Sequence, residues 1–177
     1  IGKGRLMSST PRLDPVDPTA RSVFGSILGH QPQLAKAFST LYAEFWQRGE
    51  LDHITKETTR LRNARITDCG YWRNVRFTVV KQENMVEDDV EKVDDDYNET
   101  DLPQRSKLAL AFADAFLGAQ GAPSSDVQEQ MKKEFSTEQI AEMGIGLALF
   151  HGFSKLLIVT GCEPEEMERT VLSAPGA

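Results

Sequence analysis

A glutamate, a cysteine and an arginine follow one another at short intervals and could act on one substrate. Cys69 comes twelve residues after Glu57, and Arg76 comes seven residues after Cys69. A helix is predicted to begin at Asp68 or Cys69. A cysteine at a helix N-terminus has a lowered pKa, because it meets the positive end of the helix dipole and unpaired amides. The sequence therefore predicts a reactive thiol at Cys69, with a small buried residue packed between two helices as the alternative.

Glu57 and Arg76 each admit two interpretations. Glu57 lies on a helix face that is predicted to be buried, where it could be a general base. It could equally form an ion pair, since a buried carboxylate needs a partner, and the candidates are Arg60, Arg65 and Arg76. Arg76 cannot exchange protons at ordinary pH. Its planar guanidinium could instead hold the carboxylate of an acidic substrate through two parallel hydrogen bonds.

One histidine and three aromatic residues complete the set of candidates. His151 lies in an apolar segment with Lys155 one turn further on, and it could carry protons or be a core residue with one hydrogen bond. Trp46, Tyr71 and Trp72 could wall an apolar substrate pocket or belong to the core. The spacing of the three histidines does not fit a metal site, and no motif for a bound cofactor is present.

From Glu57 to Arg76, the sequence resembles the core motif of the carboxymuconolactone decarboxylase / alkylhydroperoxidase D-like family. That motif has a Glu on one helix, a Cys-x-x-Cys that opens the next helix, and a His four residues after the second Cys. Glu57 falls on the Glu position and Cys69 on the first Cys position. Trp72 occupies the second Cys position and Arg76 the His position. The segment 149–155 is also similar to the family.

The resemblance covers roughly residues 20–160. It implies an all-α helical bundle of this type, a homo-oligomer (trimer or hexamer), and a peroxiredoxin- or alkylhydroperoxidase-like oxidoreductase. In such chemistry a thiolate attacks a peroxide, and a second thiol resolves the sulfenic acid as a disulfide. Because Trp72 has no sulfur, the expectation is at most a single-cysteine peroxidase that uses Cys69 and an external reductant. Cys162 is expected to lie far from Cys69, since it follows the other end of a long helix.

Two further functions are compatible with the sequence. One is a cofactor-free lyase, decarboxylase or isomerase that acts on a small carboxylic acid or lactone, with Glu57 as base and Arg76 as clamp for the substrate. The other is a non-catalytic protein that keeps the scaffold for binding a ligand or for assembly. All three hypotheses involve a small-molecule substrate or ligand and a homo-oligomer.

Helical periodicity predicts the elements that position these residues. An irregular N-terminal arm is expected over residues 1–17, where prolines disfavour regular structure, and a single helical domain over residues 18–177. One continuous helix is predicted from Asp68 or Cys69 to about Asn84. The last long helix begins after Ser136, with a capping box to the glutamine three residues on. It is apolar nearly all round, which is typical of a helix buried in a bundle or in a subunit interface.

Composition and charge narrow the classes of function. The chain has 177 residues and a net charge of −7, which disfavours binding to nucleic acid and to anionic membranes. The acidic stretch between Glu83 and Asp101 is predicted to be a solvated face, because its spacing does not fit a calcium loop. No apolar run of bilayer length and no secretory signal are predicted. Only two cysteines are present, so a reducing, cytoplasmic location is expected.

Overall fold

Helix α3 (His53–Ile66) lies at the centre of the fold. It packs against α7 (Gln104–Leu117) and α9 (Thr137–Thr160). The carboxylate of Asp52 begins α3 by accepting a hydrogen bond from the backbone N–H of Thr55 at 2.7 Å, as an N-cap residue does. The computed structural model describes residues 11–17, 19, 23–119, 121–163 and 167–176.

Although α3 is polar in sequence, most of it is buried. Lys56 is 1% exposed, and its ammonium donates to the carbonyl of Phe45 at 2.6 Å and pairs with Glu142 at 3.1 Å. Asn63 is fully buried and donates to the hydroxyl of Ser154 at 2.9 Å. Buried polar groups need partners, so these contacts fix how α3 sits between α2 (Pro32–Arg48) and α9.

The prediction of an all-α fold is confirmed, apart from one small sheet. The other helices follow the chain in order. They are α1 (Val23–Leu28), α2 (Pro32–Arg48), α4 (Gly70–Asn74), α5 (Thr78–Gln82), α6 (Glu87–Glu91) and α8 (Ser125–Glu134), with a 3-10 turn at Tyr97–Glu99.

The start of α9 has the predicted capping box. The hydroxyl of Ser136 accepts from the N–H of Gln139 at 3.2 Å, and the side chain of Gln139 accepts from the N–H of Ser136 at 3.1 Å. Gly146 lets α2 come close, since a Cβ there would lie 2.6 Å from the ring of Phe45.

By length and composition alone, α9 could cross a membrane. Its most apolar 18-residue window has a mean hydropathy of 1.5, and 39% of that window is buried. Buried core helices pass the same test.

The prediction of one helix from residue 68 to residue 84 is wrong. The chain forms α4, then strand β1 (Val75–Phe77), then α5. Strand β1 pairs in parallel with β2 (Thr170–Leu172), so that Val75 lies opposite Thr170. At this break in the helix, the carbonyls of Trp72 and Val75 accept hydrogen bonds from the guanidinium of Arg60 at 2.6 and 2.7 Å. A side chain from α3 thus occupies acceptors that a longer helix would use.

The acidic stretch is exposed, as predicted, but several of its carboxylates also pair with arginines of the bundle. Glu87 contacts Arg76 at 3.1 Å, and Glu91 contacts Arg169 at 2.8 Å. The side chains of Glu91 and Asp94 remain more than half exposed. The acidic stretch is therefore partly neutralised by arginines of the bundle and partly exposed to solvent.

The described part of the predicted arm, residues 11–17, has no helix or strand. Arg12 fastens it to the end of α9, where its guanidinium donates to the carbonyls of Ile158 and Val159 at 2.6 and 2.9 Å. The carbonyl of Asp14 lies 2.7 Å from Nε2 of His30. Residues 1–10 of the arm lie outside the described residues.

Candidate functional site

Glu57 and Arg60 form a buried ion pair on α3. Nε and Nη2 of Arg60 donate to the two carboxylate oxygens of Glu57 at 2.7 and 2.6 Å. Both side chains are 1% exposed. The guanidinium also lies between the rings of Trp72 and Phe77, 5.6 and 5.4 Å from their centroids. Burial lowers the pKa of Arg60, but the Glu57 carboxylate outweighs burial and raises that pKa above its ordinary value, so the pair is ionic.

This contact selects between the two interpretations of Glu57. Of the three arginines proposed as partners, Arg60 takes both carboxylate oxygens. A general base needs a lone pair directed at its substrate, and here both oxygens face a permanent cation. The ion-pair interpretation is therefore the one that the geometry supports.

Arg76 is held by its own partner. Its Nε and Nη2 contact the carboxylate of Glu87 at 3.1–3.4 Å, and its Nη1 donates to the carbonyls of Arg73 and Val75 at 2.7 and 2.9 Å. Arg76 and Glu57 line the same cavity, which has a volume of only about 10 Å³. A space of that size holds one water molecule at most, so it has no room for a lactone or a keto acid.

Cys69 caps the N-terminus of α4 and is fully buried. Burial raises the pKa of the Cys69 thiol to about 12, although the backbone N–H of Trp72 acts in the opposite direction. The carboxylate of Glu163 beside the thiol raises the pKa further. The predicted lowering of this pKa is wrong, because α4 has only five residues and burial outweighs its short dipole.

The carboxylate at Cys69 comes from a segment that the sequence did not indicate. Glu163 is 6% exposed and accepts a hydrogen bond from the N–H of Gly70 at 3.0 Å. The chain therefore returns to the start of α4 directly after α9. Cys162 was expected to lie far from Cys69 because it follows the other end of a long helix, and this return of the chain contradicts that reason. Both cysteines are free, and the hydroxyl of Thr160 donates to the sulfur of Cys162 at 3.2 Å.

His151 is half-buried on the inner side of α9. Its Nδ1 lies 3.3 Å from Oδ1 of Asn63. Burial lowers the pKa of His151, and the positive charge of Lys155 lowers it further. The core interpretation, with one hydrogen bond, fits this environment.

The three aromatic candidates pack against other rings. Trp46 is fully buried and contacts the rings of Tyr42, Phe77 and Phe150. Tyr71 and Trp72 pack edge to face, with centroids 4.9 Å apart, and Trp72 also meets Tyr42. Side chains that fill each other's space in this way form a core cluster, so a substrate pocket walled by Trp46 is not what these contacts describe.

A groove lined by four arginines lies beside this cluster. Its volume is about 460 Å³. The arginines come from α3, α4, β1 and the residue before β2, and they are Arg65, Arg73, Arg76 and Arg169. The sequence analysis named Arg76 as a clamp for a substrate and Arg65 as a candidate partner of Glu57. Arg169 was missed, because nothing local connects it with residues almost a hundred positions earlier.

A second concavity lies on the other side of the bundle. It has a volume of about 620 Å³, and mainly apolar residues of the arm, α1, α2 and α9 line it. Among the residues that the structure describes, no group of three or more His, Cys, Asp or Glu is placed to hold a metal ion.

The fold is shared with a solved structure. No protein-family model matches the sequence, and no curated protein matches it significantly. A crystal structure from Agrobacterium tumefaciens, of a protein of unknown function provisionally assigned to antioxidant defence as AhpD, superimposes with a TM-score of 0.64. The identity is 18%, over 76% of this chain and 92% of that one. The chain has the AhpD-like fold. At this identity the likeness shows the AhpD-like fold alone, and the chemistry has to be argued from the residues in place.

Proposed function

We propose that this protein is a non-catalytic, ligand-binding member of the AhpD-like fold. The observation that carries the proposal is the bidentate pair between Glu57 and Arg60, which neutralises the one carboxylate that the motif offers as a base. The second motif cysteine is absent, because Trp72 stands in its place. What remains of the motif stabilises the fold and presents no free reactive group.

The state of Cys69 supports the same proposal. A thiol whose pKa burial raises to about 12 is almost entirely protonated at pH 7, and the thiolate is the nucleophile. Its sulfur is also enclosed, since the residue is fully buried. Attack on a peroxide is therefore suppressed both by protonation and by access.

The lyase alternative meets a second obstacle. Ligand pockets usually have volumes of about 300–1,000 Å³, whereas the cavity shared by Glu57 and Arg76 holds about 10 Å³. Arg76 is also engaged by Glu87 and by two carbonyls. A substrate would have to displace these partners before the two residues could act on it together.

A peroxide-consumption assay tests the proposal. Wild-type protein and Cys69→Ser are incubated with hydrogen peroxide or an organic hydroperoxide and dithiothreitol as reductant, and a sulfenic-acid trap is applied in parallel. We expect both proteins to match the buffer control and Cys69 to stay unmodified. Turnover that is present in the wild type and lost in Cys69→Ser would contradict the proposal.

One observation favours a second candidate, a single-cysteine peroxidase. The Glu163 carboxylate lies against the Cys69 thiol and is placed to take its proton if the segment after α9 moves. The provisional antioxidant assignment of the Agrobacterium protein points in the same direction. In that case Glu163→Gln would abolish peroxide turnover together with Cys69→Ser, while Cys162→Ser would keep it.

Homo-oligomer formation, as a trimer or a hexamer, is part of the proposal. Exposed apolar side chains on α2 and α9 support it: Leu34 is 67% exposed, and Ile145 and Val159 are 52% and 63% exposed. Apolar stripes of this kind mark contact surfaces. Light scattering should give the mass of a trimer or hexamer for the wild type and a smaller species for Ile145→Lys/Val159→Lys.

A cytoplasmic location of the protein stays a prediction.

A further inference from the structure

We propose that the four-arginine groove binds the phosphate group of a small phosphorylated molecule. This inference rests on the proposed function, since it names the site and the class of ligand for a binding protein. The groove is formed where α3, α4 and β1 meet the segment before β2, and it is lined by Arg65, Arg73, Arg76 and Arg169 together with three carboxylate side chains. Cys69, Glu57 and Arg60 are not among the residues that line it.

Two of the arginines are available to a ligand. The side chains of Arg73 and Arg169 are 51% and 52% exposed. Arg73 makes one contact with a carboxylate, at 3.1 Å to Asp68, which is itself 58% exposed. Arg169 contacts Glu87 and Glu91 at 3.3 and 2.8 Å. Exposed ion pairs of this kind contribute little to stability, so a ligand can replace them at small cost.

The other two arginines form the fixed base of the groove. Arg76 is 8% exposed and is bound by Glu87 and by backbone carbonyls. Arg65 is 19% exposed, and it donates to the carbonyl of Val90 at 2.7 Å and pairs with Asp94 at 3.2 Å. These guanidinium groups stay in place when a ligand enters. They fix the shape of the base, while Glu87 and Asp94 balance their charges.

The chemistry of the ligand follows from what it has to replace. Asp68 already gives Arg73 one carboxylate, and Glu87 and Glu91 give Arg169 two. A ligand with one carboxylate would replace an existing ion pair by an equivalent one. It would also lose translational freedom on binding, so no net gain is expected. A phosphate monoester carries nearly two negative charges and three acceptor oxygens, so it can engage Arg73 and Arg169 together. The volume of about 460 Å³ leaves room for a small organic group attached to that phosphate.

Calorimetric titration with inorganic pyrophosphate as the probe tests the inference, at constant pH and ionic strength. We expect saturable binding of one pyrophosphate per chain to the wild type, weakened by added salt. Arg73→Gln/Arg169→Gln should bind the probe about tenfold more weakly or worse. The matched control is Arg48→Gln, because Arg48 is 76% exposed and pairs only with Glu44 at 3.3 Å among the described contacts; its affinity should equal that of the wild type.

Two results would overturn the inference. One is the absence of saturable binding by the wild type, and the other is equal affinity in Arg73→Gln/Arg169→Gln, whose fold is checked by circular dichroism. Succinate, a dicarboxylate without phosphate, should bind much more weakly than pyrophosphate, and equal affinity for both would remove the phosphate assignment. Failure here leaves the peroxide assay untouched, whereas Cys69-dependent turnover would refute the proposed function and not the groove.

Discussion

The carboxylate of Glu57 is bound through both of its oxygens by Arg60, which lies one turn further along the same helix. The same guanidinium donates to the carbonyls of Trp72 and Val75. One buried arginine thus neutralises the motif carboxylate and ends the helix that carries the motif cysteine. The local geometry around Cys69 is therefore tied to this ion pair.

Breaking the pair should destabilise the protein strongly. Glu57→Gln leaves the Arg60 charge buried without its counter-ion, and such a loss costs about 3–5 kcal/mol. Urea unfolding measures it. The double variant Glu57→Gln/Arg60→Met removes both charges and should lose clearly less than the sum of the two single variants. Additive losses would mean that the two side chains act independently.

Cys69 should react slowly with alkylating agents. In the Cys162→Ser variant, Cys69 is the one remaining thiol of the chain. Because the thiol is buried and its pKa is raised to about 12, we expect iodoacetamide at mildly alkaline pH to label the native protein about 100-fold more slowly than the urea-unfolded chain. Mass spectrometry follows the reaction. Equal rates in the two states would show that the thiol is open to solvent.

His151 should make stability fall on acidification. Burial and Lys155 lower the pKa of His151 in the folded state, so the unfolded chain takes up the proton first as the pH drops through about 6.5. The contribution is full above that pH and is lost as the pH falls toward the lowered pKa. On acidification the free energy of unfolding should fall further in the wild type than in His151→Gln, and the difference should be small because the imidazole is partly solvated. Parallel curves of unfolding free energy against pH for both proteins would contradict this.

Two glycines of α9 should respond in opposite directions to the same change. Gly146→Ala places a methyl group 2.6 Å from the ring of Phe45, and overpacking of this kind costs about 1–3 kcal/mol. Gly144→Ala meets nothing within 4 Å and should stabilise the helix by about 0.5–1 kcal/mol. Thermal unfolding of the two variants gives the comparison. A stabilising Gly146→Ala would show that the Phe45 ring moves aside easily.

The parts of the fold that depend on local rules were predictable. The capping box of Ser136 and the apolar length of α9 follow from neighbouring residues, and both are present. The break after α4 was not predictable from periodicity, because it depends on a hydrogen bond from Arg60, twelve residues before Trp72. Helical periodicity depends on neighbouring residues and therefore does not include a contact from a side chain of another helix.

The candidate site divides in the same way. The pairing of Glu57 with an arginine was one of the two interpretations that the sequence allowed, because a buried carboxylate demands a partner. Which of the three arginines pairs with it could not be decided from the sequence. Glu163 at the thiol and Arg169 at the groove lie beyond any local signal. Only the return of the chain after α9 and the pairing of β2 with β1 place them.

The parallel pairing of β1 with β2 has a consequence for how the protein is made. Arg169 reaches the groove 93 residues after Arg76, and contacts between distant segments form late in folding. During synthesis, α3 can become buried before the segment that precedes β2 has been made. At that stage the groove lacks Arg169 and is incomplete. A ligand that needs Arg169 would therefore bind only after β2 has paired with β1.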